Sequence, residues 1–239
     1  MIETGEVEYF GSPVPRTLSP RQAAARHAVL LVAADAFTSR GYAATSIDDI
    51  ADRLGATKGR VYHYFRTKGE IFLGVHRRAL DLMLEATREP FESDEPASSK
   101  LGAMAKAHAL LMMTEPTFMR LATQLTEMSL AAEGRTRQEE IDAVMDVRRE
   151  YEQRYETVIA EGIDAGEFSD DDPQLLATIV LGSLNGMTGW LDAESTAEGA
   201  DRERIASLVS TFVTNGLHKR ATAASRRPTR SRQRAGATA

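Results

Sequence analysis

The sequence predicts an all-α protein of about nine helices, with a three-helix bundle containing a helix-turn-helix at the N-terminus and a larger helical domain behind it. Three observations predict this. Apolar residues recur at helical spacing nearly throughout, no long alternating β-branched run breaks the pattern, and Gly or Pro stands where helices should end or begin.

The elements follow in order. Residues 1–18 carry Gly11, Pro13 and Pro15 and read as a flexible arm. Ser19 and Pro20 open the first helix as cap and first-turn residue, and Gly41 closes it. Ser46 caps the second, which has Asp48 and Asp49 in its first turn and is broken by Gly55. Thr57 caps a third helix of about two turns, with Val61 and Phe65 as its inward pair. A fourth runs from near Lys68 to the Glu89–Pro90 boundary. The fifth is expected around Leu101–Met113, and the sixth from Pro116 to near Gly134. The seventh spans Gln138 to Ala165, the eighth runs from Pro173 through Trp190 and Leu191, and the ninth covers Asp201–His218. The tail from Lys219 is highly charged and poor in apolar residues, so it is expected to stay disordered. The resulting units are an arm at 1–18, a helix-turn-helix unit at 19–66, a helical body at 67–218 and a basic tail at 219–239.

Net charge is -6, but it is segregated. Residues 16–78 hold eleven Lys or Arg against five Asp or Glu, and the tail is wholly basic, whereas the body is strongly acidic. A basic unit on an acidic body points to a polyanion as partner of the first unit. The stretch Thr57–Lys68 concentrates this chemistry, with Lys58, Arg60, Arg66 and Lys68 among Tyr62, His63 and Tyr64 and no acid. Two short helices joined by a glycine turn, the second one cationic, form the pattern that lays a helix in the DNA major groove. Arg60 suits the fork onto guanine O6 and N7. Thr57, Lys58, Tyr62, Tyr64 and Lys68 suit phosphate oxygens, and Gly59 keeps the approaching face small.

The segment FTSRGYAATSIDDIADRLGATKGRVYHYFRTKGEIF resembles the DNA-binding region of the TetR family of bacterial transcriptional repressors. The resemblance covers about residues 21–76 and rests on Phe37, Gly41, Tyr42, Thr45, Ser46, Ile50, Ala51, Gly55, Lys58, Gly59, Tyr62, Tyr64, Phe65 and Lys68. Gly69 stands where the family often has an acid, but Glu70 follows. The resemblance implies a DNA-facing set of Thr45, Ser46, Thr57, Lys58, Gly59, Arg60, Tyr62, His63, Tyr64 and Lys68. It also implies a homodimer on a palindromic operator in double-stranded DNA and a C-terminal domain whose ligand controls DNA affinity.

In the body, Gly182, Gly186 and Gly189 sit among apolar residues and suit close helix packing. The last two helices of this family usually form the dimer interface, so Ile179, Gly182, Gly186, Ile205, Leu208, Val209, Phe212 and Val213 are its expected members. The middle helices are rich in Met and resemble a pocket wall with few polar groups. The candidate ligand set is Met112, Phe118, Gln124, Met128, Arg148, Tyr151, Tyr155, Asn185, Met187 and Trp190. Arg148–Trp190 further resembles the C-terminal half of TetR-type regulators of fatty-acid or sterol catabolism, several of which respond to acyl-CoA thioesters. Gly186, Met187 and Gly189 stand where those relatives tend to be bulkier. That likeness implies a small hydrophobic ligand, with acyl-CoA among the candidates. It places Trp190 in the cavity wall and Arg148 or Arg149 on a phosphate or carboxylate. The alternative for these arginines is pairing with Glu152 and Glu156 on the same helix.

Other classes find less support. The sequence has no glycine-rich phosphate loop, HExxH, GxSxG or cysteine nucleophile, so no enzyme is expected. No metal site and no cofactor are expected either, and Asp170–Asp172 reads as a helix start. No apolar run approaches the roughly 18 residues of a membrane span. A cytoplasmic protein with no membrane partner is expected. The basic tail could favour anionic lipid or add non-specific DNA affinity.

Overall fold

The computed structural model describes residues 18–123, 138–191 and 199–219. Helices α1 (Pro20–Arg40), α2 (Ile47–Arg53) and α3 (Lys58–Tyr62) form the N-terminal bundle. Helix α4 (Lys68–Glu92) leads into α5 (Ala97–Thr114), α6 (Pro116–Ala122), α7 (Gln138–Asp164), α8 (Pro173–Asn185) and α9 (Gly199–Leu217). A short 3-10 turn, Gly186–Gly189, follows α8. No strand is present among the described residues, and the all-α expectation holds. The predicted end of the sixth helix and the basic tail beyond Lys219 lie outside the described residues, as do residues 1–17.

The caps are those the sequence specifies. Ser19 and Gln22 form a capping box on α1, and Ser46 and Asp49 form one on α2. Gly41, Gly55 and Gly166 carry positive φ at helix ends. Thr57 stands at the N-cap of α3 but makes no side-chain capping bond.

Helix α6 stops at Ala122 rather than near Gly134, and α3 spans five residues rather than about two turns. Three further boundaries differ from expectation, each for a physical reason. Helix α4 continues through Pro90 to Glu92. So close to the helix end, the proline removes one main-chain bond from the last turn only. Helix α8 stops at Asn185 rather than running through Trp190, because three glycines within eight residues favour a tighter turn. Helix α5 begins at Ala97, four residues early, because its cap comes from far along the chain. The Glu167 carboxylate accepts the main-chain N–H groups of Ala97 at 3.3 Å and Ser98 at 3.0 Å. Those bonds, from Ser98 first, hold the Glu167 carboxyl below its ordinary pKa.

The same turn closes the far end of the molecule. Ser169 N–H donates to Leu217 O at 2.9 Å, and Phe168 pairs with His218 in an isolated bridge. The Phe168 ring is buried against Gly162 of α7, where an added methyl would overlap it. Helices α5 and α9 approach closely at Gly102, whose carbonyl accepts from Ser210 Oγ at 2.7 Å.

Helix α4 belongs to both units. Ile71, Phe72 and Val75 in its first half bury toward the N-terminal bundle, and Ala79, Leu80 and Met83 continue the core into the body. A boundary at residue 66/67 therefore divides the loops rather than the packing.

Gly162→Ala should lower stability by about 1–3 kcal/mol through overpacking against Phe168. That loss outweighs the roughly 1 kcal/mol an alanine gains over glycine inside a helix. Urea denaturation measures it, and an unchanged or raised midpoint would contradict the packing described.

Candidate nucleic-acid interface and internal cavity

Helix α3 is held by two residues and presents the rest. Val61 and Phe65 are buried, as expected, and Ile50 and Ala51 of α2 join them in the core. Lys58, Gly59, Arg60, Tyr62 and His63 are exposed. A methyl at Gly59 would meet nothing nearer than Thr57 Oγ1 at 4.0 Å, so the outward face is flat. The Arg60 main-chain N–H donates to Thr57 O at 2.9 Å, while its guanidinium makes no hydrogen bond or ion pair among the described residues. Lys58 Nζ lies 2.9 Å from Asp48 of α2, which spans the turn between the two helices. This hydrogen bond, with the charge of Asp48 adding to it, raises the Lys58 amine above its ordinary pKa. The His63 and Tyr64 rings meet edge to face at 4.8 Å, and Tyr64 packs partly into the core.

Two members of the expected DNA-facing set are committed elsewhere. The Thr45 side chain is buried, and its hydroxyl donates to Gly41 O at 2.9 Å and lies within reach of Ala36 O. It fixes the α1–α2 turn and is not available to DNA. Lys68 is half-buried. Its Nζ donates to Tyr42 O at 3.0 Å and sits 4.2 Å from the centre of the Tyr42 ring. Ser46 is exposed, but its hydroxyl serves the α2 capping box.

From Tyr42 a line of ring contacts leads inward. Tyr42 meets Phe72 at 4.6 Å, and Phe72 meets His76 at 4.5 Å. His76 in turn lines a small cavity of about 40 Å³ in the body. Arg148, Tyr151, Glu152 and Asn185 supply its other polar lining, and Leu80, Met83 and Leu181 are part of its apolar wall. Behind Tyr151, His108 Nδ1 lies 2.7 Å from Tyr151 Oη, and Tyr155 Oη is 3.2 Å further along.

The cavity thus gathers three expected ligand residues, Arg148, Tyr151 and Asn185, with Tyr155 directly behind. Arg148 bonds Glu152 at 2.9 Å and Arg149 pairs with Asp146, so both arginines are engaged on their own helix. Gln124 and Met128 lie outside the described residues. The other four expected members sit elsewhere. Met112 and Phe118 are buried core, Phe118 lying against His27 at 5.6 Å. Met187 and Trp190 line an outer groove with Leu208, Val209 and Phe212, because the chain leaves α8 at Asn185 and turns Trp190 outward. Trp190 is 60% exposed and does not line the cavity.

The expected dimer stripe also divides. Ile179, Leu208 and Phe212 are 55%, 58% and 72% exposed, and added methyls at Gly182 or Gly186 would meet nothing within 4 Å. Ile205 and Val209 are half-buried, and Val213 is buried in the chain's own core at the floor of the groove. Their side of α9 faces α5, as the Gly102 contact requires.

Sequence reasoning missed His76 and His108. A histidine flanked by Phe72 and Leu80 at four-residue spacing, and another between Met104 and Met112, are the signals that mark them. Burial drives both imidazoles to their neutral forms, with His76 at about 3 and His108 at about 4. Nearby Arg148 also lowers His76, while Asn185 offsets part of the effect at His108. Both folded values lie below the ordinary 6.5, so the unfolded chain binds more protons as pH falls. Stability is therefore fully present above about pH 6.5 and lost as pH falls toward those values. Between pH 6.5 and 5, where most carboxylates stay ionised, each histidine should cost up to about 1.4 kcal/mol per pH unit. Urea titrations at several pH values measure the slope. His108→Gln should flatten it, and an unaltered slope would contradict the burial described.

Among the described residues no His, Asp and Glu cluster could hold a metal ion, and no helix is long and apolar enough to cross a membrane. Known proteins share features of this chain, three of them as follows. The transcriptional activator FasR of Mycolicibacterium smegmatis is 30% identical over 126 residues, a match that spans 51% of this chain and 58% of that protein. The fatty acid metabolism regulator protein of Bacillus subtilis is 21% identical over 80% of this chain and 95% of its own length. The solved structure of AibR in complex with isovaleryl coenzyme A and operator DNA superposes with a TM-score of 0.66, covering 81% of this chain and 98% of that one at 18% identity. Residues 29–75 match the bacterial regulatory proteins of the tetR family. Residues 94–217, more than half of the chain, match the tetracyclin repressor-like C-terminal domain. With a helix-turn-helix head and a helical body both matched, the chain belongs to the TetR family of bacterial transcriptional regulators.

Proposed function

We propose that the chain is a homodimeric repressor that binds a palindromic operator in double-stranded DNA and leaves it when a small hydrophobic ligand enters the body. The observation that carries this reading is the outward face of α3. Its cations and aromatics stand clear of the core while Val61 and Phe65 anchor it. Arg60 reads a base, and Thr57, Lys58, Tyr62 and His63 position the phosphates. A dimer built on α8 and α9 would set two α3 helices about 34 Å apart. The exposed Ile179, Leu208 and Phe212, the open glycines and the groove of about 320 Å³ beside Trp190 support that assembly.

An acyl-CoA thioester is the first ligand to test, since AibR was solved with isovaleryl coenzyme A. At about 40 Å³ the cavity holds only a few water-sized groups, so an acyl chain has to part its walls. Parting the walls at His76 would shift Phe72 and Tyr42, and with them the seat of Lys68 and α3. DNA and ligand would then antagonise each other reciprocally. A free acid or drug-like effector is the alternative ligand class for the same DNA reader.

Fluorescence anisotropy on DNA flanking the gene, at fixed salt, tests the reading. Arg60→Ala should cost about 1–3 kcal/mol and relax preference at one base position. Uniform weakening on all sequences would make Arg60 a phosphate contact. Titrated thioesters, with free acids and free CoA as controls, should release the DNA. Release by free acids alone would support the alternative ligand class.

A further inference from the structure

The internal cavity backs onto a hydrogen-bond chain whose direction is fixed at one end. Tyr155 Oη lies 3.3 Å from Met104 O, and a carbonyl only accepts, so Tyr155 donates there. Tyr151 Oη, 3.2 Å from Tyr155 Oη, must supply its own proton to that contact. A phenol has one proton, so Tyr151 has none left for His108 Nδ1 at 2.7 Å. Nδ1 therefore carries the hydrogen and donates to Tyr151. The imidazole is neutral, since burial holds it at about 4. With its single proton on Nδ1, Nε2 is a bare lone pair.

That lone pair is buried and has no hydrogen-bond partner among the described residues. The His108 ring has Asn185 and Tyr151 as neighbours, and both of these line the cavity. A second buried and unpartnered nitrogen, His76 Nε2, belongs to the cavity wall itself. Buried polar atoms without partners are costly, so a site that keeps them is arranged for something that completes them.

We infer that the cavity takes an apolar molecule bearing a hydrogen-bond donor at its buried end, namely a hydroxylated hydrophobe such as an aliphatic alcohol or a hydroxyacyl chain. This rests on the reading of the cavity as the ligand site and names the chemistry that reading leaves open. A hydroxyl donates to His108 Nε2 and still offers its oxygen toward Arg148 or His76. An ether, a thioester carbonyl or a carboxylate at the same place sets lone pair against lone pair. The internal competitor is the Asn185 side chain, which approaches the same ring.

The test uses the full-length protein and side-chain nitrogen NMR of its histidines. Straight-chain alcohols of four to eight carbons are titrated, each against its isomeric methyl ether. In the free protein His108 Nε2 should resonate as an unprotonated, pyridine-type nitrogen, which requires no variant. An alcohol should shift that resonance and bind at least about tenfold more tightly than its isomeric ether, the cost of leaving a buried acceptor unpaired. In Tyr151→Phe, Nδ1 loses its acceptor and the tautomer is released, so the preference should vanish while His76 still responds. A proton found on Nε2 in the free protein overturns the inference. So does equal binding of alcohol and ether to the wild type, which would mean that Asn185 satisfies the lone pair and would leave the ligand site standing. If neither series moves His76 or His108, the cavity is not a ligand site, and that part of the proposed function falls with the inference.

Discussion

The constraint on which the structure depends is the burial of α4 against two units at once. A surface helix shows one apolar stripe, but α4 buries Gly69, Ile71, Phe72, Leu73, Val75 and His76 within its first three turns. Arg26 of α1 lies over the Phe65 ring, and Gly74 lets Leu30 and Phe65 close on the helix. Further along, Met83 and Thr87 face the body, and Arg154 of α7 donates to Leu84 O at 3.0 Å. A helix of 25 residues is about 37 Å long and stiff. Whatever displaces one end has to be felt at the other, and His76 stands where the two cores meet.

The polar groups of the interior follow from that packing. A buried His–Tyr–Tyr chain survives in an apolar core only if its members satisfy one another. Burial raises the Tyr155 and Tyr151 phenols well above their ordinary value, so neither ionises and each keeps its single proton. At the opposite pole of the body, Glu167 and Phe168 join three helices through a cap, a ring in a glycine notch and a two-residue bridge. The body is thus rigid at the α5–α7–α9 end. The incompletely paired groups lie at the α4 end.

Much of this was legible in the sequence because it is local. Ser19, Ser46 and the glycines fix the helix ends through their own neighbours, and the inward pair Val61 and Phe65 follows from helical spacing. What escaped is set by distant contacts. Nothing near Ala97 announces that Glu167 caps it from seventy residues away. Thr45 looks like an exposed loop hydroxyl until α1 folds back and offers Ala36 O and Gly41 O. Trp190 looks like cavity lining only if α8 continues past Asn185. The fold of α9 onto α5 likewise divides one apolar stripe between the core and the exposed face, a partition the helix's own sequence does not contain.

In the proposed mechanism the state of the cavity reaches α3 through α4. The most direct test is the ratio of DNA dissociation constants with and without a saturating releasing ligand, in wild type and in Phe72→Leu. The variant should still bind the ligand while the ratio falls toward one, because the ring that links His76 to Tyr42 is gone. An undiminished ratio at unchanged ligand affinity would contradict it and place the coupling outside this helix.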